Sequence, residues 1–199
     1  MSLELLDSVF GKIGATIWIR ANGIDNTPVV PYSERKSIST ERTFDKDTIN
    51  VVKLKAILLA MAENLAFQLR RGQKLTACIT VKVRYSDFNT YTLQARIPYT
   101  SADHVLISKT LEMFDKLYNK RLLVRLIGVR FSHLVGGGYQ INLFEDAVEM
   151  INLYQAMDKV RDKHGDRAVL RAAGIEAKTI SRFNPFRGEP PPLLANRRS

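Results

Sequence analysis

Between Ala77 and Ile97 the chain alternates twice with a period of two. Ala77, Ile79, Val81 and Val83 interleave with Cys78, Thr80, Lys82 and Arg84. After a tight turn at Asp87-Phe88-Asn89, Tyr91, Leu93, Ala95 and Ile97 interleave with Thr90, Thr92, Gln94 and Arg96. Successive side chains on a strand point to opposite faces, so this stretch predicts a hairpin with one buried and one wet face. The wet face of the hairpin carries Lys82, Arg84 and Arg96 among hydroxyls, and no acid. The rest of the chain has to cover the apolar face.

Helical periodicity on both sides of the hairpin supplies that cover. A helix is predicted over 48–71, with Asp47 as cap and Leu54, Ile57, Leu58, Met61, Leu65 and Leu69 as its core stripe. Arg70 and Arg71 suit its negative end, and Gly72 stops it. Ser101 caps a second helix through about Asn119 (Leu106, Ile107, Leu111, Met113, Phe114, Leu117 and Tyr118 on its broad apolar side). A strand over Lys36–Phe44, with Ile38 and Phe44 as its apolar members, precedes the first helix. A strand over Val124–Leu134, with Ile127, Val129 and Phe131 inward, follows the second. The order strand, helix, two strands, helix, strand predicts an α+β fold. It is a four-stranded antiparallel sheet (β-α-β-β-α-β) with both helices on one face and the other face bare, polar and basic.

The flanks divide at glycines and prolines. Residues 1–23 form a helical region closed by Gly23, in which Trp18 calls for a partner surface upstream of the abrupt start. Residues 24–35, with Pro28 and Pro31, form a linker to the domain at 36–135. Residues 136–147 are a second linker, opened by Gly136-Gly137-Gly138. A helical extension spans 148–182, its first helix running to His164 with Met150, Tyr154, Met157 and Val160 inward and Gly165 as stop. A short helical piece over 166–173 ends at Gly174. A proline-rich tail, 183–199, completes the chain. The single cysteine, Cys78, excludes an internal disulfide and suits a reducing cytoplasm. No apolar run reaches the ~20 residues of a membrane span, and no signal peptide is visible.

Charge placement narrows the function. The net charge is +10, and residues 35–140 hold 18 Lys and Arg against 8 Asp and Glu, so that span carries the whole excess. Such segregation suits a polyanion-binding surface. Ammonium, guanidinium, hydroxyl and backbone N–H groups all bond phosphate oxygens without reading bases. The candidate contacts are Lys36, Ser37, Ser39, Thr40 and Arg42 on the first strand, and Lys82, Arg84 and Arg96 on the hairpin. Arg125, Arg130 and Ser132 join them from the last strand. In the second linker, Gln140-Ile141-Asn142-Leu143-Phe144 fits the Q-x-x-L-F pattern by which bacterial proteins dock on the sliding clamp. In such peptides Leu143 and Phe144 fill an apolar pocket and Gln140 bonds beside it. Catalysis and metal binding find no support. Asp45, Asp47, Asp87, Asp103, Glu112 and Asp115 form no strand-borne pair, and His104, His133 and His164 lie far apart. The triple glycine lacks the Gly-Lys-Ser/Thr of a phosphate loop.

Three segments in order resemble the little finger domain of Y-family translesion DNA polymerases, the DNA polymerase IV group in particular. They are Ala21-Asn22-Gly23-Ile24-Asp25 with Pro28-Val29-Val30, then Glu34-Arg35-Lys36-Ser37-Ile38-Ser39-Thr40, then KRLLVRLIGVRFSHL over Lys120–Leu134. The resemblance covers about residues 4–144. It implies a domain that grips template-primer DNA across the major groove by both backbones, using main-chain amides of the outer strands as well as side chains. Lys36-Ser37-Ile38-Ser39 and Arg130-Phe131-Ser132 match its contacting segments best. Leu126 stands where some relatives have a second basic residue, and the clamp peptide, terminal in some relatives, is internal here.

The resemblance also makes residues 1–23 the end of a thumb and the chain a piece of a longer DNA polymerase, a nucleotidyltransferase. The parent's palm carboxylates would hold Mg2+, with no cofactor and no polymerisation in this chain. Its partners would be template-primer DNA, the sliding clamp and the rest of the polymerase, in the cytoplasm and away from membranes. Two other readings of the basic face stay open: a free-standing module for DNA or RNA, or an interaction domain for an acidic protein.

Overall fold

The computed structural model describes residues 2–29, 34–118, 121–137, 148–166, 168–175 and 177. The chain divides into two units, one containing the N-terminal helices and one beginning at Arg35. In the first, α1 (Leu3–Phe10) and α2 (Lys12–Ala21) replace the single helical segment expected from apolar spacing. Gly11 separates them at φ 58°, a left-handed conformation that stops one helix and starts the next at little steric cost.

The second unit is the expected α+β domain. Its strands are β1 (Ser37–Thr48), β2 (Lys74–Tyr85), β3 (Thr90–Thr100) and β4 (Val124–Ser132), in the order β1-β4-β2-β3. All three neighbouring pairs are antiparallel. A two-residue β5 (Val135–Gly136) pairs with the start of β2 and adds a fifth strand that sequence alternation did not reveal. Helices α3 (Val51–Arg71) and α4 (Asp103–Leu117) cover one face. Leu54, Ile57, Leu58, Met61, Leu65 and Leu69 of α3 are all buried, as are Leu106, Met113 and Phe114 of α4. They meet Ile79, Val81, Val83, Ile127, Val129 and Phe131 of the two central strands in one core. Burying this many large aliphatic side chains, each worth about 1.5–3 kcal/mol, orients both helices on the sheet.

The caps differ from expectation. Strand β1 runs on to Thr48, so Asn50, not Asp47, caps α3, its side-chain oxygen accepting from the Lys53 amide at 3.0 Å. Ala102 begins α4 without a side-chain cap. Ser101 is buried before it, and its carbonyl accepts from Arg70 Nη1 at 2.9 Å.

A further helix is tied to α3 and to the start of α4. Helix α5 (Val148–His164) has the bounds expected, but Val160 is exposed and the inward seam is Tyr154, Asp158 and Arg161. The Arg70 guanidinium, 3% exposed, grips Asp158 through Nε (2.6 Å) and Nη2 (2.8 Å). Its Nη1 donates to buried Asp103. Arg161 donates to Glu63 at 2.6 Å and to the Val169 carbonyl at 3.0 Å. The Tyr154 hydroxyl accepts from the His104 amide at 3.3 Å and lies 2.7 Å from Nδ1 of that histidine. Beyond α5, a single 3-10 turn at Ala172–Gly174 stands where a short helix over 166–173 was expected, its Gly174 seated against Leu59 and Ala60 of α3. No described helix is long and apolar enough to cross a membrane.

Candidate nucleic-acid interface

Strand register turns the uncovered face into four cross-strand rows. From β1 through β4 and β2 to β3 they read Ser37, Ser132, Cys78, Arg96; then Ser39, Arg130, Thr80, Gln94; then Glu41, Gly128, Lys82, Thr92; then Thr43, Leu126, Arg84, Thr90. Residues directly opposite share a face in an antiparallel sheet, so these positions form one surface. It carries Arg96, Arg130, Lys82 and Arg84, a band of hydroxyls, and the single carboxylate of Glu41. Arg130, Arg96, Gln94, Thr92 and Ser39 are exposed, whereas Cys78 is a buried free thiol at one end.

Seven sequence-predicted contacts converge here: Ser37, Ser39, Lys82, Arg84, Arg96, Arg130 and Ser132. Lys36 is exposed immediately before β1. Arg130 is exposed at the centre of its row and forms no ion pair among the described residues. Arg84 Nε donates to Thr90 Oγ1 at 2.8 Å, which holds its guanidinium over the hairpin.

Three predicted contacts lie elsewhere. Thr40 and Arg42 share the parity of Ile38 and Phe44 and face the helix side, with the Arg42 guanidinium 5.8 Å from the Phe44 ring centroid. The apolar members of β1 themselves carried that signal. Arg125 falls where the register of β4 shifts against both neighbours, between its pairings at Val124 and Leu126. Its guanidinium sits 4.7 Å from the Phe88 ring centroid and 3.6 Å from Asp47, so it is engaged within the domain. Gln140, Leu143 and Phe144 lie outside the described residues.

Sequence reasoning missed Glu41, although it shares the parity of Ser37 and Ser39. Its carboxylate reaches Lys82 Nζ at 2.5 Å, crossing over β4 at Gly128. A Cβ built on Gly128 would come within 2.7 Å of Glu41 Cγ, so only glycine leaves that path open. Among the described residues, no group of three or more His, Cys, Asp or Glu could hold a metal ion.

The family model described as the impB/mucB/samB family C-terminal domain matches residues 35–143. DNA polymerase IV of Clostridium acetobutylicum is 33% identical over 184 residues, which is 87% of this chain and 45% of that protein. DNA polymerase IV of Dehalococcoides mccartyi is 33% identical over 168 residues, 83% of this chain and 43% of the relative. DNA polymerase IV of Streptococcus thermophilus is 36% identical over 133 residues, 66% of this chain and 36% of the relative. The chain thus spans less than half the length of these curated relatives.

Proposed function

Since this chain belongs to the impB/mucB/samB C-terminal family of Y-family DNA polymerases, of the DNA polymerase IV type, we propose that its open sheet face grips template-primer DNA by the phosphate backbone. The observation that carries the reading is segregation. Arginine, lysine and hydroxyl side chains stand in register on one face of the sheet, and two helices close the other. Phosphate contacts position a duplex without specifying its sequence, which suits a domain that must hold any template. Ser39, Arg130, Thr80 and Gln94 form the central row of that grip, and Lys36 and Ser37 extend it along the outer strand. As outer strands, β1 and β3 also offer main-chain amides at both margins.

On this reading the domain is a little finger, which secures DNA for a catalytic core that tolerates damaged bases. The nucleotidyl transfer, with its carboxylates and Mg2+, belongs to other domains of a longer polymerase. The peptide Gln140-Ile141-Asn142-Leu143-Phe144 docks on the sliding clamp; the Q-x-x-L-F pattern supports that role.

The test is the affinity of the 199-residue chain for a primer-template duplex across salt. Log K is expected to fall against log salt with a slope of about −0.9 per phosphate neutralised. Arg130→Ala is expected to weaken binding alike on unrelated sequences and to flatten the slope by about 0.9. A salt-independent response removes the proposal.

A further inference from the structure

Lys82 is the only lysine among the four cations on the open face, and the carboxylate that meets it comes from two strands away. Neighbouring strands lie about 4.8 Å apart, so Glu41 and Lys82 start roughly 10 Å apart at the backbone. Their side chains meet because Gly128 places nothing between them. The pair therefore roofs β4, with Arg130 in the adjoining row on one side and Leu126 on the other.

We infer that Glu41 acts as a carboxylate latch on Lys82, and that a DNA phosphate must displace it before Lys82 can join the grip. The inference rests on the DNA reading above and deepens it by naming what sets the strength of that grip. Both side chains are partly open to solvent, at 32% for Lys82 and 42% for Glu41, so an incoming anion can reach the ammonium. An exposed ion pair of this kind holds weakly, which makes exchange of one anion for another feasible. Until exchange occurs, the carboxylate also repels phosphates on neighbouring rows, all within a Debye length of about 10 Å. Glu41 is thus a tuning residue: it lowers affinity and lets the domain release and re-engage DNA as a template advances. Lys82 is a conditional contact, whereas Arg130 is a standing one.

The experiment is a double-mutant cycle read by fluorescence anisotropy of a labelled primer-template duplex. It uses the 199-residue chain in four forms: native, Glu41→Gln, Lys82→Ala, and both together. Gln preserves the size of the side chain, and thermal denaturation checks that each form folds. Glu41→Gln is expected to tighten binding about 3- to 10-fold at low salt and to steepen the log–log salt slope by about 0.9, because one more phosphate contact forms readily. Lys82→Ala is expected to weaken the native chain several-fold less than it weakens the Glu41→Gln chain, from which it removes most of the gain. Equal weakening by Lys82→Ala in both backgrounds overturns the latch. So does an unchanged affinity and slope for Glu41→Gln while Arg130→Ala lowers both. Absence of salt-dependent binding in every form, the native chain included, would instead remove the DNA reading and the latch with it.

Discussion

Glu63 sits in the middle of α3 with its carboxylate 4% exposed and bonded to Arg161. Burial pushes its carboxyl above the usual glutamate range, and attraction to Arg161 only partly offsets that effect. An acid that titrates higher in the folded chain than in the unfolded one binds its proton more tightly when folded. Its contribution to stability is therefore fully present below the unfolded value and is lost as pH rises through the raised one. Glu63→Gln carries no such dependence. From about pH 4 to about pH 7, the melting-temperature difference between the variant and the native chain is expected to move in the variant's favour. A difference that is flat, or that moves the other way in thermal melts, contradicts this assignment. Glu112 behaves oppositely. Lys116 and Lys109 bond it on the exposed side of α4 and hold it down to about 2, so its small contribution is present above the usual glutamate range and is lost as pH falls towards that value.

At the scale of elements, α5 is attached largely through charged side chains, whereas α3 and α4 are attached by apolar packing. Removing Arg161 leaves Glu63 buried, with Arg171 3.9 Å away as its remaining cation among the described residues. Arg161→Ala is expected to destabilise the domain by about 3–5 kcal/mol in urea denaturation, whereas Arg161→Met with Glu63→Leu is expected to lie much nearer the native chain. Equal losses in the two variants would show that packing of α5, not the unpaired carboxylate, governs the cost. The same contrast explains what was legible in the sequence. Strands β2 and β3 and the stripe of α3 announce themselves because an apolar period matches a buried face. The bounds of α5 are readable too, yet only Tyr154 of its seam is. Tyr154 belongs to the apolar stripe and is buried as expected, but Asp158 and Arg161 are charged, and apolar spacing points to Met150, Met157 and Val160 beside Tyr154. Strand β1 misled in a related way. Its hydroxyls and charges lie on both faces, so composition placed Thr40 and Arg42 with Ser37 and Ser39, and only register separates them. Glu41 escaped notice because its partner lies two strands away, beyond anything local spacing encodes.

Across the whole second unit, the elements leave distinct surfaces. The sheet leaves one face open, α3 and α4 close the other, and α5 is tied to the Glu63–Arg70 part of α3 and to the start of α4. The pentapeptide at 140–144 belongs to neither surface in sequence; it falls between β5 and α5. Its proposed docking role is therefore expected to separate from the proposed phosphate grip. Replacing Leu143 and Phe144 by Ala is expected to abolish capture of the chain by immobilised sliding clamp, while affinity for primer-template and its salt slope stay within about twofold of native. Capture that survives the double substitution would refute the docking role and leave the sheet untouched.

Gly128 gives that surface an unusual sensitivity. Elsewhere in a sheet, adding one methyl group is a question of volume. Here a Cβ would come within 2.7 Å of Glu41 Cγ, so the side chain that carries the carboxylate to Lys82 would have to move. A neutral alanine at this position is thus expected to disturb an ion pair above β4 while the formal charge of the molecule stays the same.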